Sequence, residues 1–277
     1  MVSKLRFGTP GIPLSAVPRD TVNGIARVKE LGLGAMELEF VRQVNITKDK
    51  APLVAEARKK HDVLLTCHGQ YYINLSSLEK EKIGASRSRV LNAARIANLC
   101  GAYSVTFHAG FYQKREASRV YDMIKTGLKK IVAQLQDEGN KIWIRPETTG
   151  KASQWGDLKE IVAMSGEVEQ VLPCIDFAHL HARTQDNNTL AEFRSMLSFV
   201  EKELGRTALN NMHIHMSGIN YTSKGERNHL ELEDSDMNYK DLLKAFKEFK
   251  LKGAVINESP NVEKDALLMQ KYYKRLK

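Results

Sequence analysis

At 277 residues the chain fits either one α/β barrel or two smaller domains, and no linker-like stretch favours two. The formal net charge of +9 favours polyanionic partners, although many basic proteins never contact nucleic acid. Three widely spaced cysteines without a CxxC pair argue against a disulfide framework and a thiolate zinc site. We find neither an apolar leader, which would indicate secretion, nor an apolar run long enough to span a membrane. We therefore expect a cytoplasmic protein without a membrane partner.

Short apolar runs alternate with helical patterns along the whole chain. The first run covers 5–9 and ends at a Pro-Gly pair, and apolar residues at helical spacing follow in 19–31. Seven further strands are predicted at 35–40, 63–67, 104–107, 142–144, 171–175, 211–216 and 254–257. The helices that follow them are predicted at 49–60, 78–99, 117–136, 158–164, 190–204, 239–249 and 262–276.

Eight alternations of strand and helix predict a closed parallel (β/α)8 TIM barrel of the α/β class. We expect a single domain over residues 1–277, with its active site at the C-terminal ends of the strands. An open, doubly wound sheet is the alternative. It is disfavoured because GTPGIP follows the first strand where a dinucleotide-binding sheet has a glycine-rich turn.

Residues of types that can bind metals lie at or just past the ends of six successive predicted strands. They are His68, His108, Glu147, Asp176, His179, His213 and Glu258. In a barrel these side chains converge on one cup. Imidazoles and carboxylates without thiolates are typical ligands of zinc or manganese, and more than four ligands indicate more than one ion. Glu147 is central in sequence and is our candidate for a bridging, catalytic carboxylate.

Six strings carry a family resemblance over nearly the whole chain: CHGQYYINL, FHAG, IRPETTG, CIDFAH, MHIH and NESP. In this order they resemble the endonuclease IV family of apurinic/apyrimidinic endonucleases, within the xylose isomerase-like TIM barrel superfamily. The resemblance implies a barrel with three zinc ions. Because one ligand loop departs from the family pattern, we expect two or three ions, with manganese as the alternative metal. The resemblance also implies a hydrolase that cleaves double-stranded DNA 5′ to abasic sites in base excision repair.

The resemblance further implies which residues hold the first two ions, with Glu147 as the bridge. The remaining ligands would be His68 and His108 for the first ion, and Asp176, His213 and Glu258 for the second.

The loop after strand seven departs from the family pattern. His179 would bind the third ion together with an Asp-x-His pair, and this chain has Glu226 and Asn228 at those two places. His229 follows one residue later and is the candidate substitute. The third ion is therefore expected either to be held by different ligands, at His179, Glu226 and His229, or to be bound weakly.

Two groups of residues are candidates for DNA binding. Tyr71 stands where the family inserts a tyrosine beside the lesion, and Tyr72 is its alternative. Lys151 and Gln154 follow strand five, and Arg183 follows strand six. On the same face of a barrel they would contact phosphates without sequence preference.

Three functions fit these residues. The first is the zinc-dependent abasic-site endonuclease, which we expect to be monomeric. The second is a divalent-metal sugar isomerase or epimerase on the same barrel, although such enzymes rely on carboxylates more than imidazoles, and a neutral sugar needs no basic surface. The third is a nucleic-acid-binding relative that has lost catalysis through the altered third-ion loop.

Overall fold

The computed structural model describes residues 2–276, and within them eight parallel strands form a barrel wall. The strands are β1 Leu5–Pro10, β2 Ala35–Glu39, β3 Leu64–His68, β4 Ser104–Phe107, β5 Trp143–Pro146, β6 Cys174–Asp176, β7 Met212–Met216 and β8 Gly253–Asn257. Their pairing runs from β5 through β4, β3, β2, β1, β8 and β7 to β6. Isolated parallel bridges join Ile144 to Val171 and Glu147 to Cys174, between β5 and β6. The predicted (β/α)8 fold is confirmed.

Helices follow the strands and cover the outside of the barrel. They are α1 Thr21–Glu30, α2 Ala51–His61, α3 Lys80–Leu99, α4 Ala117–Asp137, α5 Leu158–Glu167, α6 Phe177–Thr184, α7 Leu190–Leu209, α8 Tyr239–Glu248 and α9 Glu263–Arg275. Of the described helices, none combines the length and apolarity that a membrane span requires.

Two local features differ from the predicted elements. Strand β6 begins only at Cys174, because Pro173 has no N–H with which to continue the ladder. Helix α6 follows β6 directly and was not predicted. Its first six residues are all buried, so it lacks the one-sided apolar pattern of a surface helix. The Asp176 side chain caps it by accepting from the His179 backbone N–H at 2.8 Å.

An antiparallel ribbon occupies the long polar connection between β7 and α8. Its strands are Gly218–Thr222 and Gly225–Leu230. The pairing register shifts within this ribbon, since Asn220 pairs with Asn228 whereas Tyr221 pairs with Glu226. Arg227 is therefore the extra residue of a β-bulge. We call this element the β7–α8 ribbon.

Alternate residues of the strands face the barrel interior. On β2, Met36 and Leu38 join the hydrophobic core under the helices, whereas Ala35 belongs to a small apolar cluster inside the barrel. Glu37 and Glu39 share the parity of Ala35 and therefore also face inward. The interior thus changes from apolar near the start of this strand to polar at its C-terminal end.

Candidate metal centre

The predicted ligands meet in a cup at the C-terminal ends of the barrel strands. Around Glu147 and Asp176, three groups of side chains bring ligand atoms within 4.8 Å of one another: His68, His108 and Glu147; Glu147, Asp176, His215 and Glu258; and Asp176, His179 and His229. Glu147 belongs to the first two groups and Asp176 to the last two. The cup therefore offers ligands for adjacent ions that share carboxylates.

The first group directs unused polar atoms toward one point. His68 Nδ1 donates to the Gly69 carbonyl at 2.7 Å, which leaves the lone pair of its Nε2 facing the cup. Glu147 Oε2 lies 3.3 Å from His68 Nε2 and 3.5 Å from His108 Nε2. Glu147 Oε2 and His108 Nε2 are buried without a hydrogen-bond partner. Buried polar atoms need partners, and a metal ion would supply one to each.

The second group corrects one predicted ligand. His215 Nδ1 lies 2.9 Å from Glu147 Oε1 and 3.5 Å from Glu258 Oε1, so His215 belongs to the cup. His213 lies one layer deeper, with its Nε2 2.9 Å from Glu37 Oε2. Both histidines of MHIH face inward because they are two residues apart on β7. Only the one nearer the C-terminal end of the strand reaches Glu147.

Burial and the Glu37 carboxylate change the pKa of His213 in opposite directions. Burial lowers the pKa of this imidazole to about 4, although the Glu37 carboxylate raises it. Burial therefore favours the neutral form of this imidazole. Ser104 Oγ lies 3.0 Å from His213 Nδ1, so the hydroxyl can donate to that nitrogen when the proton of the neutral ring is on Nε2.

The third group brings two imidazole nitrogens face to face. His179 Nδ1 donates to the Thr148 carbonyl at 3.0 Å, and His229 Nδ1 donates to the Glu258 carbonyl at 3.1 Å. The two Nε2 atoms then face each other at 3.4 Å. Burial lowers the pKa of His179, but the carboxylates of Asp176 and Glu226 raise it to about 9, so a proton on one Nε2 can bridge the two nitrogens. An ion that both nitrogens bind would take the place of that proton.

The bulge in the β7–α8 ribbon completes this third group. Glu226 Oε2 lies 3.5 Å from His179 Nε2, on the same side as His229. Glu226 and His229 are half-buried, whereas Arg227 and Asn228 between them are exposed. The extra residue of the bulge offsets the alternation of the strand, so a Glu-x-x-His spacing presents its first and last residues to one face.

The ribbon reaches the cup because it docks on the loop that follows β5. The Glu226 backbone N–H donates to the Gly150 carbonyl at 3.0 Å. A Cβ atom at position 150 would lie 2.6 Å from the Glu226 Cβ, which is too close for any side chain. The glycine that ends IRPETTG therefore permits the approach of a candidate ligand.

Charges of both signs are crowded in this buried cup. Burial opposes ionisation of Glu147, but the imidazoles of His215 and His108 hold its pKa well below the usual value. Burial also lowers the pKa of His68, but contact with Glu147 and nearby carboxylates raises it to about 10. Burial raises the pKa of Glu258 to about 8 despite the nearby His215. Protons and metal ions would therefore compete for the same atoms.

Two interior carboxylates were missed by the sequence analysis. Glu37 contacts His213 and His215, and Glu39 Oε1 is buried without a hydrogen-bond partner. Burial and the charge of Glu37 raise the pKa of Glu39 to about 8. The available signal was the alternation in AMELEF. On a strand whose outer face is covered by helices, carboxylates at alternate positions must face the interior.

Comparison with known proteins identifies the family of this barrel. Residues 25–276 match the xylose isomerase-like TIM barrel family. The chain belongs to that family. It is also 42% identical, over 98% of both chains, to an uncharacterised protein of Methanocaldococcus jannaschii. The superfamily predicted from the sequence is thereby confirmed.

Two solved structures share the fold of this family member at low sequence identity. Endonuclease IV from Thermus thermophilus has a TM-score of 0.73 and 17% identity, with coverage of 97% of this chain and 100% of that chain. A D-tagatose 3-epimerase-like protein has a TM-score of 0.72 and 16% identity, with coverage of 96% of both chains. The two neighbours have different names and similar scores, so the fold does not choose between their chemistries.

Two tyrosines project beside the cup of this family member. Tyr71 and Tyr72 are 65% and 66% exposed, which is high for large aromatic side chains. The Tyr71 ring lies 6.0 Å from the His68 ring, between centroids. An aromatic surface therefore adjoins the first group of ligands.

Arg183, a predicted phosphate contact, is hydrogen-bonded to the loop that follows β5. Its Nη1 donates to the carbonyls of Lys151 and Gln154, and to Thr149 Oγ1 at 3.0 Å. These bonds fix the loop after β5. Lys151 and Gln154 are half-buried in that loop, so Arg183 helps to hold them in position.

Proposed function

We propose that this protein is a zinc-dependent phosphodiesterase of base excision repair that cleaves double-stranded DNA 5′ to abasic sites. The observation that carries the proposal is the sharing of Glu147 and Asp176 among three groups of ligands. Shared carboxylates hold ions close together. Ions so arranged suit in-line displacement at phosphorus, where one oxygen attacks while another leaves.

The donor set fits the metal that the proposal needs. Imidazole and carboxylate ligands without a thiolate at the cup suit zinc, and manganese is the alternative. The buried atoms without partners, Glu147 Oε2, Asp176 Oδ2 and His108 Nε2, are those that ions would satisfy. Such ions, when bound, would lower the pKa of water and neutralise charge on the phosphate.

The side chains of the cup have separate tasks in this proposal. Glu147, held in its ionised form by the imidazoles around it, accepts a hydrogen bond from the attacking water and orients that water toward phosphorus. Tyr71, exposed beside His68, stacks where the abasic nucleotide leaves the helix, with Tyr72 next to it. Lys151 and Gln154 contact backbone phosphates.

A sugar isomerase or epimerase is the second candidate, and one observation favours it. Glu147, Asp176, His215 and Glu258 alone form a complete group for one ion, and carboxylate-rich groups of this kind suit sugar chemistry. The flanking imidazoles count against it, because such a reaction gives no task to His68, His108, His179 and His229. The net charge of +9 also favours DNA over a neutral sugar.

A binding protein without catalysis is the third candidate. Its main support was the apparent loss of the third site at Asn228. His229 offers a ligand to that site through the bulge, so this support is weakened.

The test is incision of a labelled duplex that contains one tetrahydrofuran analogue of an abasic site. Zinc-loaded protein should cut directly 5′ to the analogue, and a chelator should abolish the cut on a denaturing gel. Absence of incision by protein shown to contain metal would exclude the endonuclease. Tight binding to the same duplex would then favour the binding protein, and no binding would favour a sugar substrate.

A further inference from the structure

Glu37 is a carboxylate in the middle of the barrel, with an imidazole on each of its oxygens. Its Oε1 lies 2.8 Å from His215 Nε2, and its Oε2 lies 2.9 Å from His213 Nε2. The three side chains are completely buried. The ring nitrogens do not point squarely at the oxygens, so the contacts are mainly electrostatic. A buried carboxylate is costly unless such partners surround it, so this arrangement calls for an explanation.

His215 lies between carboxylates at both of its nitrogens. Its Nδ1 faces Glu147 and Glu258 at 2.9 Å and 3.5 Å, and its Nε2 faces Glu37. As the side chains stand, Nδ1 donates a hydrogen bond to Glu147 Oε1 at 2.9 Å. An ion bound at Nδ1 would replace that proton and leave the neutral ring with its one proton on Nε2. Asp176 completes a group of four ligands on the Nδ1 side. An ion held by this group would therefore bind at Nδ1, and the proton of the ring would then be on Nε2.

We propose that Glu37 is a positioning residue of the metal centre, which holds His215 in the Nε2–H tautomer and leaves Nδ1 free for the ion. A ligating histidine commonly has its other N–H directed at a carboxylate, which fixes the ring and strengthens the ligand. Glu37 touches neither the ion nor the substrate and acts only through His215. The proposal rests on the metal-binding part of the proposed function and not on the DNA substrate.

His213 explains how Glu37 is itself held in place. Ser104 Oγ lies 3.0 Å from His213 Nδ1, on the side of the ring away from Glu37. With the hydroxyl as donor to Nδ1, the proton of His213 is on Nε2 and faces the second oxygen of Glu37. The carboxylate then has an N–H group close to each of its oxygens, although neither contact has the geometry of a hydrogen bond. A polar chain runs from Ser104 through His213 and Glu37 to His215, under the floor of the cup.

The same residues admit one rival arrangement. Cys174, His213 and His215 also bring ligand atoms within 4.8 Å of one another, so an ion could lie in this deeper layer. Such an ion would compete with Glu37 for His215 Nε2. Cobalt substitution separates the two, because a thiolate ligand gives cobalt an intense sulfur-to-metal charge-transfer band. That band in the cobalt protein would overturn the proposal, and its absence is expected.

The decisive measurement uses the unaltered protein loaded with zinc. Long-range ¹H–¹⁵N correlation spectra of the imidazoles distinguish a proton on Nε2 from one on Nδ1. The His215 signals are assigned from their loss in His215→Gln. We expect a protonated Nε2 and a metal-bound Nδ1. The opposite assignment overturns the proposal.

Variants then measure what Glu37 contributes to metal binding. An amide in Glu37→Gln can donate to His215 Nε2 and so favour the wrong tautomer. Zinc affinity of the weakened site should fall by about 10-fold to 100-fold in a calorimetric titration. Thr66→Val is the matched control, since buried Thr66 pairs with Glu37 across β2 and β3 but its hydroxyl is hydrogen-bonded to neither histidine. Zinc affinity within twofold of the unaltered protein in folded Glu37→Gln would overturn the proposal.

Discussion

Glu226 Oε2 and His229 Nε2 both lie within about 3.5 Å of His179 Nε2, although residues three apart on a regular strand face opposite sides. The bulge at Arg227 accounts for this relationship. It offers a histidine to the third group at a position where the resembled family pattern has none. The third group therefore depends on backbone register as much as on residue type.

Replacement of His229 should remove one bound metal ion per chain. His229→Ala deletes an imidazole nitrogen that faces His179 across the third group, and leaves one imidazole, His179, beside the carboxylates of Asp176 and Glu226, a set too weak to keep an ion through dialysis. Elemental analysis of dialysed, zinc-loaded protein measures the change. Asn228→Ala is the control, because Asn228 is exposed on the other face of the ribbon and should not alter the metal content.

Two results would contradict this assignment. Equal metal content in His229→Ala and the unaltered protein would mean that His229 is not a ligand. Loss of metal in Asn228→Ala alone would mean that the strand register differs from the one described.

Removal of metal should lower the thermal stability of the protein. The cup holds ionisable groups whose charges a bound cation would balance, and a ligand present at 100 times its Kd stabilises the folded state by about 2.7 kcal/mol. For a chain of this size that corresponds to a rise in Tm of roughly 5 to 10 °C on addition of zinc to chelated protein. Differential scanning fluorimetry measures the shift.

Two histidines of β7 provide a matched comparison for this shift. His215→Ala removes a ligand of the second group and should abolish a large part of the zinc-induced rise. His213→Ala lowers the starting stability by leaving a cavity, but the rise itself should be reduced less. A larger loss of the rise in His213→Ala would restore His213 as the ligand and remove His215.

The ring of ligands could be predicted because topology alone brings strand ends together. Once eight parallel strands are recognised, residues at their C-terminal ends share one face whatever their distance in sequence. This reasoning placed His68, His108, Glu147, Asp176 and Glu258 in the cup without any knowledge of side-chain geometry. The family resemblance then supplied roles that the pattern alone leaves open.

The predicted site differs from the observed one where a shift of one or two residues decides which side chain faces the cup. His213 and His215 have the same parity, so alternation cannot tell which of them reaches Glu147. The bulge at Arg227 has no sequence signal, because its extra residue is neither glycine nor another turn-forming type. Glu37 lies in a middle layer of the barrel, which is usually apolar, so its role became visible only with its partners.

Glu147→Gln should abolish hydrolysis and keep the fold. The amide has nearly the shape of the carboxylate but lacks the charge shared by the first two groups of ligands, so we expect single-turnover cleavage to fall on the order of 10²-fold to 10³-fold. Denaturing gels of the tetrahydrofuran duplex give the rate, and circular dichroism checks the fold. Glu231→Gln, an exposed change beside the β7–α8 ribbon, should cleave within twofold of the unaltered protein. Unchanged turnover in Glu147→Gln excludes its catalytic role.

Replacement of Lys151 should change the salt dependence of DNA binding, whereas replacement of Arg183 should lower the free energy of unfolding. Lys151→Gln removes a cation from the proposed DNA surface, so the slope of log Kd against log salt should fall by about one. Its free energy of unfolding should stay within about 0.5 kcal/mol of the unaltered value. Arg183→Gln loses charged hydrogen bonds to the loop after β5 and should reduce that free energy by about 1.5 to 3 kcal/mol.

Urea unfolding and fluorescence anisotropy at several salt concentrations measure the two quantities on the same preparations. Arg183→Gln should also weaken DNA binding, but with a salt slope closer to the unaltered one, because it acts through loop placement and not through a phosphate contact. Equal stability of the two variants would contradict the stabilisation of the loop after β5 by Arg183. An unchanged salt slope in Lys151→Gln would remove Lys151 from the DNA surface, since a cation that neutralises a phosphate must release a counterion.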